Sequence, residues 1–82
     1  MNNCQEIRNF IEDLLSHKQD RQPFSDTDSL ILSGRLEWID AVEIVVFLES
    51  RFGLDFADIG FDQALIDSIQ LIDDLVRTHA AV

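Results

Sequence analysis

Apolar residues recur at the spacing of an α-helix in three stretches, and this periodicity constrains the fold more than any other feature of the chain. Near the N-terminus they follow the order i, i+3, i+4, i+7, i+8, and they are Ile7, Phe10, Ile11, Leu14 and Leu15. A second stretch spans residues 38–52, where Arg51 and Gly53 are typical of a helix C-terminus. A third begins after Ser68, a residue type that favours the N-cap position, and also has one apolar face.

Two further segments complete the predicted architecture. Residues 20–36 contain Pro, Gly and several turn formers, which predicts a long connection that packs on the other helices through Phe24, Leu30, Ile31 and Leu32. Residues 61–66 predict a short third helix. No stretch shows the alternating pattern of a strand. We therefore expect an all-α fold, a small four-helix bundle in a single domain over residues 1–82, because a chain of 82 residues leaves no room for a second core.

Acidic residues dominate the C-terminal half of the chain. The net charge is −10, and between Glu37 and Asp74 ten acidic residues stand against Arg51 alone, a net charge of −9. Such a field repels nucleic acid and attracts basic protein surfaces, so we expect no nucleic-acid partner. No apolar run is long enough for a membrane span, and the single cysteine, Cys4, predicts a cytoplasmic location.

The second helix presents two apolar faces with different surroundings. One is uniformly apolar and predicts a core face, formed by Ala41, Ile44, Val45, Leu48 and Phe52. On the other, Ile39, Val42 and Val46 line up beside Glu43 and Glu49. A helix in so small a bundle cannot bury two opposite faces, so this second stripe predicts a docking surface. The alternative is that the third or fourth helix covers it.

The segment from Gly34 to Gly53 resembles the attachment region of acyl carrier proteins. That family has a Gly, two residues, then Asp-Ser-Leu/Ile/Met, and then a helix with the pattern V-E-L-V, L-E and F-G; here the segment reads "GRLEWIDAVEIVVFLESRFG". The resemblance implies an acyl-carrier type of bundle with a long loop between helices one and two. It also implies that the serine position carries 4′-phosphopantetheine, which would tether acyl intermediates in fatty acid, lipid or polyketide-type biosynthesis.

The attachment position departs from the family pattern. Glu37 stands where the family has Asp, Trp38 stands where it has the modified serine, and Ile39 follows. An indole has no hydroxyl group and cannot form a phosphoester, so we expect no covalent cofactor on this chain. The resemblance further implies partner recognition by Ile39, Val42, Glu43, Val46 and Glu49. The implied partners are a phosphopantetheinyl transferase and acyl-loading and synthase enzymes with basic patches.

Two functional hypotheses remain open at this point. The chain is either an acyl carrier protein whose attachment serine has been replaced, or a natural carrier-like module that never carries and acts through its acidic second helix. An acidic inhibitor of a basic cleft is a third reading, but it leaves the Val/Ile stripe unexplained. No catalytic triad, Cys/His pair, metal-ligand spacing or phosphate loop is evident, so we expect a non-enzymatic, monomeric protein. Under the first hypothesis, Trp38 folds back between the helices into the space of an acyl chain.

Overall fold

The computed structural model describes residues 3–79, and this part of the chain is all helical. It contains α1 (Asn3–His17), α2 (Trp38–Phe52), α3 (Phe56–Ile59), a 3₁₀ helix (Gln63–Ile66) and α4 (Ile69–His79), with no strand among the described residues. The expectation of a small helical bundle is confirmed at this level. The predicted domain bounds include residues 1–2 and 80–82, which lie outside the described range.

The segment between α2 and α4 differs from the prediction of one helix at 61–66. It forms two separate turns, α3 and the 3₁₀ helix, separated around Gly60 at φ 89°. Asp55 caps the first by accepting the N–H of Ala57 at 3.0 Å, and Asp62 caps the second by accepting the N–H of Ala64 at 2.9 Å. Elements of four residues are too short to show a period of 3.6 residues. The positions of these two helices are therefore set by aspartate capping, and the apolar pattern does not reveal them.

The core collects one apolar stripe from each long helix. The side chains that are almost fully buried in it are Ile7, Ile11 and Leu15 from α1, Ile44 and Leu48 from α2, and Ile69, Ile72 and Val76 from α4. The connection between α1 and α2 adds Leu30, Ile31 and Leu36, as expected for a loop that packs on the bundle. The same expectation is wrong for Leu32, which is 68% exposed.

Polar contacts within the long connection, and a cation–π contact with Arg8 of α1, hold this segment in place. The guanidinium of Arg35 donates to both carboxylate oxygens of Asp20, at 3.1 and 3.0 Å, and to the carbonyl of Gln22 at 2.8 Å. Phe24 lies between two cations, with the guanidinium of Arg8 4.6 Å and that of Arg35 5.5 Å from its ring centroid. These contacts constrain the path by which the chain enters α2.

None of the described helices is long and apolar enough to cross a membrane. Residues 3–79 also bring together no group of three or more His, Cys, Asp or Glu side chains that could hold a metal ion.

Candidate docking site on helix α2

The start of α2 is capped without any contribution from the side chain of Trp38. Glu37 is the N-cap residue, with extended backbone angles, and its N–H donates to Oδ2 of Asp40 at 2.8 Å. Trp38 is therefore the first helical residue. The backbone N–H of a residue at this position has no partner within the helix, and water can satisfy it. The cap leaves the identity of residue 38 unconstrained, and a bulky indole is accommodated because it points away from the bundle.

The indole of Trp38 lies on the surface. Trp38 is 64% exposed, so the hypothesis that its side chain folds back between the helices is wrong. The physical reason is that the neighbouring interior is already filled by aliphatic side chains, among them Leu36, Ala41 and Ile44, each almost fully buried. A large aromatic exposed at the tip of a helix adds apolar area to whatever surface surrounds it.

A lysine that directly follows α1 forms ion pairs with the acidic residues at the start of α2. Nζ of Lys18 lies 3.0 Å from Oδ2 of Asp40 and 3.5 Å from Oε1 of Glu37. The hydrogen bond to Asp40 is the main reason that the pKa of Lys18 is raised above its ordinary value. This cluster joins the two helices at one end, and it reduces the charge that Glu37 and Asp40 can offer to a partner.

The α2 stripe predicted from the sequence (Ile39, Val42, Glu43, Val46 and Glu49) is largely exposed. Ile39 is 55% and Val46 is 56% exposed, Glu43 is exposed, and Val42 is partly buried. The alternative that α3, the 3₁₀ helix or α4 covers the stripe is therefore wrong at Ile39 and Val46. Trp38 lies one residue before Ile39 and adds its indole at the N-terminal end of this surface.

The two glutamates of the α2 stripe have different environments. Glu43 makes no ion pair or hydrogen bond with any described residue, so its full charge faces solvent. Glu49 is also exposed, but its Oε2 accepts the N–H of Phe56 at 3.0 Å, which satisfies a donor at the start of α3. Glu49 thus has a structural role that the sequence did not indicate, and Glu43 is the acid that is open to a partner.

Asp67 is a further residue of this region that the sequence reasoning missed. Its Oδ1 accepts the N–H of Ile31 at 2.7 Å and that of Leu32 at 2.8 Å, and its carbonyl accepts the N–H of Leu30 at 2.7 Å. The residue is only 7% exposed. It therefore holds the connection that leads into Trp38 against the start of α4. The available signal was its position between apolar neighbours, Ile66 and Ile69, which predicts burial and hence a hydrogen-bonding partner.

Burial and hydrogen bonding act on Asp67 in opposite directions. Burial alone would raise the pKa of its carboxyl group. Hydrogen bonds from the Ser29 hydroxyl and from the backbone of Leu32 and Ile31 together outweigh that effect and lower the pKa below its ordinary value. The group is thus held as a carboxylate. Ser68, the next residue, caps α4 as predicted, since its Oγ accepts the N–H of Leu71 at 3.2 Å.

A scan against family models and searches of curated proteins and of solved structures found no match to this chain. An assignment of function therefore depends on the residues and the geometry described above.

Proposed function

We propose that this chain is a docking protein of acyl-carrier type that cannot be loaded. In this proposal the α2 stripe, with Trp38 at its N-terminal end, binds basic surfaces on enzymes that serve acyl carrier proteins, such as a phosphopantetheinyl transferase or an acyl-loading enzyme. The observation that carries the proposal is the exposed position of Trp38 at the first turn of α2, directly before exposed Ile39 in the chain.

The chemistry of residue 38 argues against loading. Phosphopantetheine forms a phosphoester with a hydroxyl group, and an indole offers none, so the cofactor does not fit this chain at that position. The nearest hydroxyl groups along the chain do not replace it. Ser33 donates to the carbonyl of Leu30 at 3.3 Å and accepts the N–H of Arg35 at 3.4 Å within its own turn. Ser50 lies about three helical turns further along α2.

The α2 stripe has the composition of a small, transient interface. Exposed aliphatic side chains form its centre, the indole extends it, and the charge of Glu43 is not neutralised by any described residue. Transient interfaces of this kind bury less than about 1,200 Å² and combine apolar contact with electrostatic steering. A partner with Lys or Arg around an apolar patch would complement it, because the net charge of −10 attracts basic surfaces over a distance.

The capping geometry supports acyl tethering as a second candidate function, for a form of the chain with serine at residue 38. The N–H of Glu37 is bonded to Asp40 without any part played by the side chain of residue 38, and residue 38 is exposed. A serine there would lie at a helix N-terminus, which stabilises a phosphodiester anion through its unpaired N–H groups and its dipole. In this case Trp38 removes the attachment point and leaves the partner-binding surface intact.

Enzymatic loading tests both candidates. The chain and its Trp38→Ser and Trp38→Ala variants are incubated with coenzyme A and a broad-specificity phosphopantetheinyl transferase, and intact masses are measured. We expect an adduct on Trp38→Ser only, because the alanine variant removes the indole without adding a hydroxyl group. An adduct on the unaltered chain would show that the site is elsewhere, and none on Trp38→Ser would remove the support for tethering.

Binding to the same transferase tests docking directly. Glu43→Lys and Val46→Glu should each raise the Kd measured by titration calorimetry. Glu12→Lys is the matched control, since Glu12 is exposed on α1 and outside the α2 stripe. Equal affinity for the parent chain and both α2 variants would contradict the proposed docking role.

A further inference from the structure

A groove runs between α1 and α2, and an ion pair joins the two helices near each of their ends. The two helices are antiparallel: Nη2 of Arg51 lies 2.7 Å from Oε1 of Glu6 at one end, and Nζ of Lys18 lies 3.0 Å from Oδ2 of Asp40 at the other. Between these pairs the helices enclose an open volume of about 560 Å³. The lining residues on the α1 side run from Phe10 to Lys18, so the groove extends over roughly 12 Å along that helix.

Aromatic and aliphatic side chains line the middle of the groove. The rings of Phe10 and Phe47 stack with centroids 4.1 Å apart and an interplanar angle of 7°, so they join the two helices by their faces. Leu14 of α1 and Val42 and Val46 of α2 also line the groove. The floor is therefore apolar and is held in place by a stacked aromatic pair, which predicts a preformed surface.

The charge along the groove is acidic. Lys18 is the one Lys or Arg among the lining residues, and it forms ion pairs with Asp40 and Glu37. Two other lining carboxylates are exposed: Glu43 on α2 makes no ion pair with any described residue, and Asp13 on α1 has only His17, whose Nδ1 is 3.9 Å from its Oδ2. Asp13 and Glu43 therefore lie on opposite helices with an apolar floor between them.

We propose that this groove binds an amphipathic basic helix of a partner protein. The apolar side of such a helix would lie on the stacked phenylalanines, and its Lys or Arg side chains would reach Asp13 on one side and Glu43 on the other. About two helical turns fit along a groove of this length. A second copy of this chain is a poor occupant, because two chains with a net charge of −10 repel each other.

The inference rests in part on the proposed function, because Val42, Glu43 and Val46 belong to both the groove and the α2 stripe. It adds a second wall from α1 and specifies the secondary structure of the partner. Asp13 contributes to the groove only, and Ile39 contributes to the α2 stripe only. Variants at these two positions therefore separate the two proposals.

A designed peptide tests the groove directly. The probe is a fluorescein-labelled peptide of about 14 Leu and Lys residues, with Leu at i, i+3, i+4 and i+7. A peptide of the same composition in scrambled order is its control. In 0.15 M NaCl, fluorescence anisotropy should show saturable binding of the first peptide, and Asp13→Lys and Glu43→Lys should each weaken it about three- to tenfold. Glu12→Lys makes the same charge change on α1 outside the groove and should alter the Kd less than about twofold.

The outcomes separate cleanly. Equal binding of the scrambled peptide, or equal weakening by Glu12→Lys and Asp13→Lys, would show attraction by net charge alone and overturn the proposal. Displacement of the peptide by neutral dodecyl maltoside but not by salt, or dimerisation of the chain on sizing, would identify a different occupant and overturn it as well. If Ile39→Glu, Glu43→Lys and Val46→Glu all leave transferase binding unchanged while Asp13→Lys weakens peptide binding, the proposed function fails and the groove stands. If the α2 variants weaken transferase binding while Asp13→Lys leaves peptide binding unchanged, only the groove proposal is overturned.

Discussion

Replacing Asp67 should destabilise the domain more than replacing any acid on its surface. Oδ1 of Asp67 accepts two backbone N–H groups, from Ile31 at 2.7 Å and Leu32 at 2.8 Å, and the residue is 7% exposed. These bonds fix the connection that leads into Trp38. Their loss would therefore affect both the free energy of unfolding and the presentation of the α2 stripe.

The size of the stability loss depends on which backbone N–H groups lose their acceptor when Asp67 is replaced. A hydrogen bond to a charged group contributes about 1.5–3 kcal/mol. In Asp67→Ala the N–H of buried Ile31 loses its acceptor, whereas that of exposed Leu32 can bind water, so we expect a loss of about 2–4 kcal/mol. A domain of this length is stable by roughly 4–12 kcal/mol, and the midpoint of thermal unfolding should fall by roughly 10–25 °C.

The asparagine variant separates hydrogen bonding from charge. Both N–H groups bond to the same oxygen, Oδ1, so Asp67→Asn can retain these two hydrogen bonds while it loses the charge. We expect a cost of about 1 kcal/mol, between those of the parent and the alanine variant. The specific expectation is that the free energy of unfolding decreases in the order parent, Asp67→Asn, Asp67→Ala.

Acid titration provides a second check on Asp67. Because its pKa in the folded state is lowered, the carboxylate stabilises the fold fully above the pKa of the unfolded chain, about 4 for Asp. That contribution is lost as the pH falls through the folded-state pKa. The difference in stability between the parent and Asp67→Asn should thus be constant near neutral pH and narrow progressively below about pH 4.

Urea unfolding followed by far-ultraviolet circular dichroism is the appropriate assay. Fluorescence of the single tryptophan would report poorly, since Trp38 is already 64% exposed in the folded state. Asp58→Ala is the matched control, as Asp58 is an exposed acid in α3, and it should change stability by less than about 0.5 kcal/mol. A loss in Asp67→Ala no larger than in this control would refute the reasoning, as would equal losses in the Asn and Ala variants.

Two further predictions concern the sides of the α2 stripe and the groove. Glu49→Ala should remove the acceptor for the N–H of Phe56 and cost about 1 kcal/mol, and faster hydrogen exchange of the α3 amides should show it, with Glu49→Gln as the control that keeps an acceptor oxygen. Unchanged exchange would mean that Glu49 acts on partners only. A double-mutant cycle of Phe10→Ala and Phe47→Ala should give a coupling energy of about 0.5–1.5 kcal/mol, and additive losses would show that the stacked pair does not join the helices.

The long helices were predictable from the sequence because their signals are local and repeated. Ile7, Ile11 and Leu15 have the period of a helix, and they are buried in α1 as that period requires. The end of α2 at Phe52 follows from Arg51 and Gly53, and Gly53 adopts φ 73°, a left-handed conformation that suits glycine. The exposure of Ile39 and Val46 also followed from helical geometry, since one helix in a small bundle buries one face.

The sequence by itself thus determined an acidic, all-helical chain with a tryptophan, which has no hydroxyl group, at the start of α2 and an apolar stripe beside it. Only the tertiary structure decided that Trp38 is exposed, that Asp67 holds the connection from 36 residues away, and that Glu49 is shared with α3. It also decided that α1 and α2 stand apart around stacked Phe10 and Phe47. The physical reason is that periodicity and capping depend on residues a few positions apart, whereas these features depend on which distant groups meet when the helices pack.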